Sequence, residues 1–564
     1  MSEKQLAHRV RNTLVLVLLL FCHLPAFAAE AVPAAAGTWI SLAPPLIAIA
    51  LALLLRQVIP ALFAGVWLGA WAINGFTLAG LGMGLLDSFQ KYILNALANP
   101  DHASVILFSL MISGTVGIIS RNGGMQGIVN RIVDWADSAR HACLATAGMG
   151  MAVFFDDYAN TLVVGNTMRP VTDSMRVSRA KLAYIVDSTA APVACIAFVT
   201  TWIGYEVGLI GEAISYIEDL EAEPYLLFLS SIPYSFYPLL AILFVFMVAA
   251  SGRDFGPMLT AERYAMANGV DNSDTEESAL GADCEAIEPV AGKPQRAMNA
   301  VVPILVLLLS VMGGLYVTGK AALDGQEADL RSIIGAAESY KALMWGSMIG
   351  MVTAAVMTVG QRIMSLEEVV DAWYKGVRSL IYAMIILVLA WALGGITDVL
   401  QTANFLVGIL GDTLPVQMVP FLVFIIAAFT AFATGSSWGS MGILTPLVIP
   451  LTWAVMQANG YTEPEHMHIL YSAIASVLAG SVWGDHCSPI SDTTILSSMA
   501  SGCDHIEHVR TQLPYALLVG IVALGAGSLP VAYGLPWWLG LLAGGAVLFA
   551  VLRFFGRTTE SGGT

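Results

Sequence analysis

The chain is 564 residues long, with 57% hydrophobic and only 12% charged residues, where a soluble domain carries about 25% charged residues. That balance excludes a water-soluble globular protein. The net charge of −16 argues against a nucleic-acid partner, and six cysteines without C-x-x-C spacing argue against a disulfide framework, a zinc cluster or thiol redox chemistry.

In chain order, Lys4, Arg9 and Arg11 precede an apolar run over 14–21, followed by Pro25 and Ala26-Phe27-Ala28. A basic start, a short apolar stretch and small residues read as a signal peptide over 1–28, cut after Ala28; the alternative is an uncleaved first helix. Phe21 is too bulky to precede an acylated Cys22, so lipidation is rejected.

From Trp39 to Phe555, apolar stretches of about 20 residues recur, the length that crosses roughly 30 Å of hydrocarbon. With the mature N-terminus outside, crossings over 39–56, 60–80 and 103–120 bring Arg121, Arg131 and Arg140 to the cytoplasm, where basic loops belong. The next apolar block, 142–168, leads to a second basic loop with Arg169, Arg176, Arg179 and Lys181. Both its flanks therefore belong on one side, which a re-entrant hairpin turning near Asp156 to Asn160 satisfies, because non-helical backbone is tolerated at membrane depth where protein buries it. Residues 182–210 then run outward to an acidic loop (Glu212, Glu218, Asp219, Glu221, Glu223), and 225–250 return. The polar segment 251–296 reads as a mobile cytoplasmic linker with solvated charges.

In the second half, 297–317 and 343–359 form a pair of crossings, and 380–396 follows the basic residues Arg362, Lys375 and Arg378. The block 416–453 lies between Asp398 and Asp412 on one side and Glu463 and Glu465 on the other, with no Lys or Arg from Asp398 to Tyr471. This reads as a second hairpin, entering from outside. Crossings over 467–499, 513–531 and 536–555 leave Arg553 and Arg557 in the cytoplasm. The expected architecture is an all-α integral membrane protein of about 11 transmembrane helices plus two opposed re-entrant hairpins. It comprises a first repeat over 39–250, the linker, a second repeat over 297–532, and a last helix with its tail over 536–564. A constant shift lays Gly394 over Gly114, Pro450 over Pro170, and Ser436-Ser437-Trp438 over Asp156-Asp157-Tyr158. Combined with opposite sidedness, that shift predicts inverted repeats with a substrate site near mid-membrane, between broken helices.

Ionisable groups inside spanning segments cost roughly 2.5 kcal/mol or more each and are functional candidates by default. Four stretches hold nearly all of them: FFDDYANT (154–161), VDSTAAP (186–192), TGSSWGS (434–440) and GDHCSPISDTT (484–494). The candidate cation- and proton-binding residues are Asp156, Asp157, Asn160 and Thr161; Asp187, Ser188 and Thr189; Ser436, Ser437 and Ser440; and Asp485, His486, Ser488, Asp492 and Thr493. Hydroxyls, carboxylates and carbonyls freed around Gly or Pro are hard ligands suited to an alkali cation. A buried carboxylate binds either a proton or a cation, and that competition is the minimal chemistry of an antiporter. Sodium, at a subset of these residues, and protons are then transported species, with no cofactor and no catalytic residue expected.

Each feature has a plainer reading. One of Asp156 and Asp157 caps a broken helix, and Ser and Thr bond back to their own backbone. His486 is a structural histidine or a proton relay. Glu206 is interfacial, and His466, His468, His505 and His508, in or near loops, are not metal ligands. A remote alternative is an intramembrane protease, since Gly435-Ser436-Ser437-Trp438-Gly439 matches G-x-S-x-G and Asp485 with Asp156 or Asp157 imitates an aspartyl pair. The serine motif, however, needs a strand-to-helix elbow that this helical context does not offer.

Together the four stretches resemble the NhaC-type sodium/proton antiporters, within a superfamily of ion transporters built from inverted repeats with opposed hairpins. GDHCSPISDTT resembles the family's G-D-x-x-S-P-I-S-D-T-T signature without departure, and FFDDYANTLVVGNTMRPVTD also looks like a family segment. The resemblance implies ion binding at Asp156, Asp157, Asn160, Asp187, Asp485, Ser488, Asp492 and Thr493. It also implies sodium/proton exchange across a bacterial inner membrane. The cargo stays open, because the family's relatives include malate/lactate exchangers and amino-acid carriers. The alternative is therefore a sodium- or proton-coupled carrier of a small organic acid or amino acid. No Lys or Arg stands in the four stretches to grip a carboxylate, which favours a bare cation, although hairpin amides and hydroxyls are able to substitute. The remaining partners expected are membrane lipid and small cations, with a homo-oligomer left open.

Overall fold

The computed structural model describes residues 33–558 apart from 56, 134–136, 218, 221, 271–287, 324–332, 334–335 and 411–413. The expected signal peptide and the acidic run of the linker over 271–277 lie outside the described residues. Nearly every described element is a helix, since backbone in hydrocarbon must close its hydrogen bonds within its own segment. Nine described helices are long and apolar enough to cross a membrane, or up to ten if the bent pair Pro224–Tyr234 and Phe236–Ser251 is one span. Two shorter apolar helices, Trp39–Ala52 and Val58–Ile73, coincide with the first two expected crossings. The interior is filled by large side chains that include Trp202, Trp391, Tyr205, Tyr237 and Tyr515.

Two helix pairs and two broken helices position the site. In the first pair, Ala139–Ala152 and Asp157–Ser174 are joined by the break 153–156; in the second, Val419–Thr434 and Ser437–Ala458 are joined by Gly435 and Ser436. A short polar side chain starts the second helix of each pair. Asp156 accepts from Ala159 N at 2.7 Å, and Ser436 Oγ accepts from Gly439 N at 3.3 Å. Each satisfies a backbone donor that the first helical turn leaves unpaired, and these are the two residues that the sequence shift superimposes. Both helices of the second pair are of membrane-crossing length. The charge argument needs only an even number of passes between flanks of like sign, which two helices supply whether they cross fully or turn back midway.

The crossings expected over 182–210 and 467–499 are each split. Arg179–Ser188 stops at Thr189 and Ala190, resumes as the single turn Ala191–Ala194, and continues as Ile203–Ser215. His468–Cys487 stops before Ser488-Pro489-Ile490-Ser491 and resumes as Asp492–Ser501. Pro192 and Pro489, which cannot donate to a helical ladder, lie at these two breaks. Each helix pair presses a glycine onto the break of its own half. A Cβ at Gly150 would run into the Thr189 side chain, and one at Gly435, whose φ is +68°, would come within 2.5 Å of Ile490 O. Only glycine suits that left-handed position and that approach.

The expectation of solvated linker charges fails for Asp254 and Glu262, which are 0% and 5% exposed. Lys181, buried near the start of the first broken helix, bonds Asp254 at 2.7 Å and Glu262 at 3.4 Å, and Tyr515 OH donates to Asp254 at 2.9 Å. A buried ammonium requires counter-charge, and the linker supplies it by folding back as the helix Gly256–Asn268. Beside it, Arg253–Asp254 pairs antiparallel with Arg557–Thr558, tying the linker to the end of the last helix.

Candidate cation and proton site

Asp157 opens the second helix of the first pair and is buried. Its Oδ1 accepts from Trp202 Nε1 at 2.9 Å, whereas Oδ2 is buried without a hydrogen-bond partner. The neighbouring Asp156 takes the plainer role. Besides its cap, its Oδ2 accepts from Thr201 Oγ1 at 3.0 Å, and Thr201 N donates to Phe155 O at 2.9 Å. The chain beyond the first break is thus docked on the tip of the first pair. Asn160 Nδ2 donates to Gly150 O at 2.7 Å and to Thr189 O at 3.0 Å, which seals the same junction from below, while Asn160 Oδ1 and Thr161 Oγ1 have no partner.

Asp485, 1% exposed, lies near the end of His468–Cys487. Its Oδ2 accepts from Ser437 Oγ at 2.9 Å and Thr493 Oγ1 at 3.2 Å; its Oδ1 is buried and unpartnered. Ser437 comes from the second pair's tip and Thr493 from the resumed helix, so this carboxylate gathers both sides of a break. Ser481, one turn earlier on its helix, has a buried hydroxyl oxygen without a partner. Ser491 bonds Thr493 at 3.0 Å.

Asp187 differs. Its Oδ1 accepts from Ser497 at 3.1 Å, and its Oδ2 accepts from Thr494 at 3.1 Å and Gln512 Nε2 at 2.5 Å. Gln512 also donates to His486 O at 2.9 Å. His486 spans Tyr237 OH at 3.0 Å and Asp187 O at 3.1 Å, a satisfied structural arrangement. His508, expected in or near a loop, is fully buried on the helix His505–Val522, bonded to Gln512 at 3.0 Å and Ser498 at 2.8 Å. Several hydroxyls likewise follow the plain reading. Thr189 bonds back to Ile185 O at 2.7 Å and Ser440 to Ser436 O at 3.1 Å, while Ser488 ties the second break to Phe432 O at 2.7 Å. Ser188 is buried beside the first break.

The two halves meet between these clusters. Tyr158 OH donates to Asp492 Oδ2 at 2.5 Å, the rings of Trp202 and Trp438 lie 4.9 Å apart, and Tyr205 donates to Trp438 O. Among the described residues, none of Asp156, Asp157, Asp187, Asp485 and Asp492 forms an ion pair with Lys, Arg or His. Ionised and unaccompanied, each would cost several kcal/mol; a proton or a cation removes that cost. Ser437, the serine of the protease motif, follows a helix instead of a strand and bonds Asp485 and Ser481 O.

Sequence reasoning left out of the site Thr201, Trp202, Tyr237, Thr494, Ser497 and Gln512. Gln512 carried a usable signal, an amide inside an apolar helix; Trp202 carried none, since tryptophans are common in membrane proteins. Glu206 needs correction. Read as interfacial at a helix end, it instead lies in the first turn of Ile203–Ser215 at 1% exposure, because the break relocates the helix start.

A family model described as the Na+/H+ antiporter family matches residues 193–527, a range that holds the Asp485 cluster and begins beyond Asp187. An uncharacterized protein of Haemophilus influenzae is 32% identical over 530 residues, 93% of this chain and 96% of that one. A shorter stretch of 89 residues, 16% of this chain and 17% of the relative, is 34% identical to the malate-2H(+)/Na(+)-lactate antiporter of Bacillus subtilis. The YdaH transporter of Alcanivorax borkumensis superposes with a TM-score of 0.51 at 16% identity, over 83% of this chain and 89% of that one, a likeness of fold alone. With a family match over more than half its length and an array of membrane-length helices, this chain belongs to the Na+/H+ antiporter family and is a multi-pass membrane transporter, not an enzyme.

Proposed function

We propose that the protein exchanges sodium for protons across the bacterial inner membrane, with Asp157 and Asp485 as the exchanging carboxylates. One observation carries this reading: each is buried with one oxygen held by neutral donors and the other without a partner. Neutral donors orient a carboxylate without cancelling its charge, so the remaining oxygen takes a proton or a cation in turn. At Asp485 the hydroxyls of Ser437, Thr493 and Ser481 add the hard oxygen donors that sodium prefers. Sodium arrival favours loss of the proton and proton arrival favours release of sodium, which couples the two flows at one site. Movement of the two helix pairs against the broken helices, in inverted repeats with the N-terminus outside and the C-terminus cytoplasmic, would open the site to each side alternately.

The test is reconstitution into liposomes holding a pH-sensitive dye. A sodium jump moves protons through the wild type with no organic solute present, and Asp157→Asn or Asp485→Asn removes that flux while both variants stay folded. Proton movement that requires an added organic acid or amino acid would replace this reading with coupled carriage of that solute.

A further inference from the structure

We infer that Glu206 is a second proton-binding group of the transport cycle, one helical turn from the tryptophan that holds Asp157. Its main-chain N–H bonds Trp202 O at 3.0 Å, placing the two residues on one face of the helix, and Trp202 Nε1 is the donor to Asp157. Glu206 is 1% exposed, and neither carboxylate oxygen has a hydrogen-bond partner. Among the described residues, Glu206 forms no ion pair, and its helix packs against Pro100–Arg121, Pro224–Ser231, Leu366–Val399 and Ser437–Ala458.

The chemistry discriminates between proton and cation. Sodium is held by several oxygens at once, as around Asp485, whereas Glu206 has no hydroxyl or amide bonded to it. A proton needs only one oxygen and removes the whole charge that burial penalises. When sodium reaches Asp157, the O–H bond there breaks and its electron pair stays on the carboxylate that holds the cation. The proton forms a new O–H bond on Glu206, which later releases it to water. This role rests on the proposed exchange at Asp157.

Two fluxes separate the possibilities in liposomes carrying wild type, Glu206→Gln or Glu206→Asp. Exchange of labelled sodium for unlabelled sodium needs no net proton, while sodium-driven proton movement does. Glu206→Gln should keep sodium-for-sodium exchange within about twofold and lose sodium-driven proton movement by about tenfold or more, and Glu206→Asp should recover part of it. Wild-type proton movement in Glu206→Gln overturns the inference, as does equal loss of both fluxes, which would mark a cation ligand or a packing residue. Should Glu206→Gln fail to insert, treatment of the wild type with a hydrophobic carbodiimide decides: a mapped adduct on Glu206 supports a protonated, reachable carboxyl, and an unmodified Glu206 overturns it. If the wild type moves protons only with an organic solute, the exchange reading fails, and the same comparison is made on solute-driven proton flux.

Discussion

The two broken helices both carry an aspartate at the break, in opposite circumstances. Asp187 has both oxygens filled by Thr494, Ser497 and Gln512, all from the other half of the chain. Asp485 keeps Oδ1 without a partner and receives its donors from its own half. Burial marks both residues equally, so it does not distinguish the two. On the proposed exchange, donor count does: a carboxylate saturated by neutral donors would act as a joint between halves, and one with an oxygen to spare would trade ligands.

The strongest test of that contrast is functional. Asp157→Asn and Asp485→Asn should lower sodium-driven proton flux by about 10³-fold or more, whereas Asp187→Asn should lose stability before it loses exchange per folded molecule, measured as flux normalised to monodisperse protein. Equal losses in all three would erase the distinction. Next comes the anchor beneath Asp187. Lys181→Met strips Asp254 and Glu262 of their cation and should cost about 3–5 kcal/mol, read as a lowered midpoint in thermal unfolding; adding Asp254→Asn and Glu262→Gln should restore most of it. Gln512→Leu removes one donor from Asp187 and leaves His508 short of a partner, for a loss of about 1–3 kcal/mol in the same assay. The smallest effect belongs to the caps: Asp156→Asn should be close to neutral and Ser436→Ala should cost about 1 kcal/mol, with exchange retained in both.

Much of this is legible in the amino-acid sequence. Asp156 and Ser436 superimpose under a simple shift of the sequence, and each caps the second helix of its own pair. Pro192 and Pro489 lie at the two breaks, where a missing N–H costs a ladder bond, but Pro170, Pro446, Pro450 and Pro514 sit inside unbroken helices, so proline alone does not mark a break. The linker charges Asp254 and Glu262 read as solvated because their partner Lys181 is distant in sequence, and only the fold buries the three together. Glu206 reads as a helix-end residue from sequence because the break that moves it to the first turn of Ile203–Ser215 falls within the expected crossing.

The sequence by itself determined that this chain lives in a membrane, that like-charged flanks enclose paired helices, and that four polar stretches interrupt the apolar segments, since composition, charge asymmetry and proline are local properties. Tertiary structure alone decided which carboxylate oxygens are filled. Thr494 stands 307 residues from Asp187 and Tyr158 stands 334 from Asp492, and hydrogen bonds over such separations exist only once the two halves have packed together.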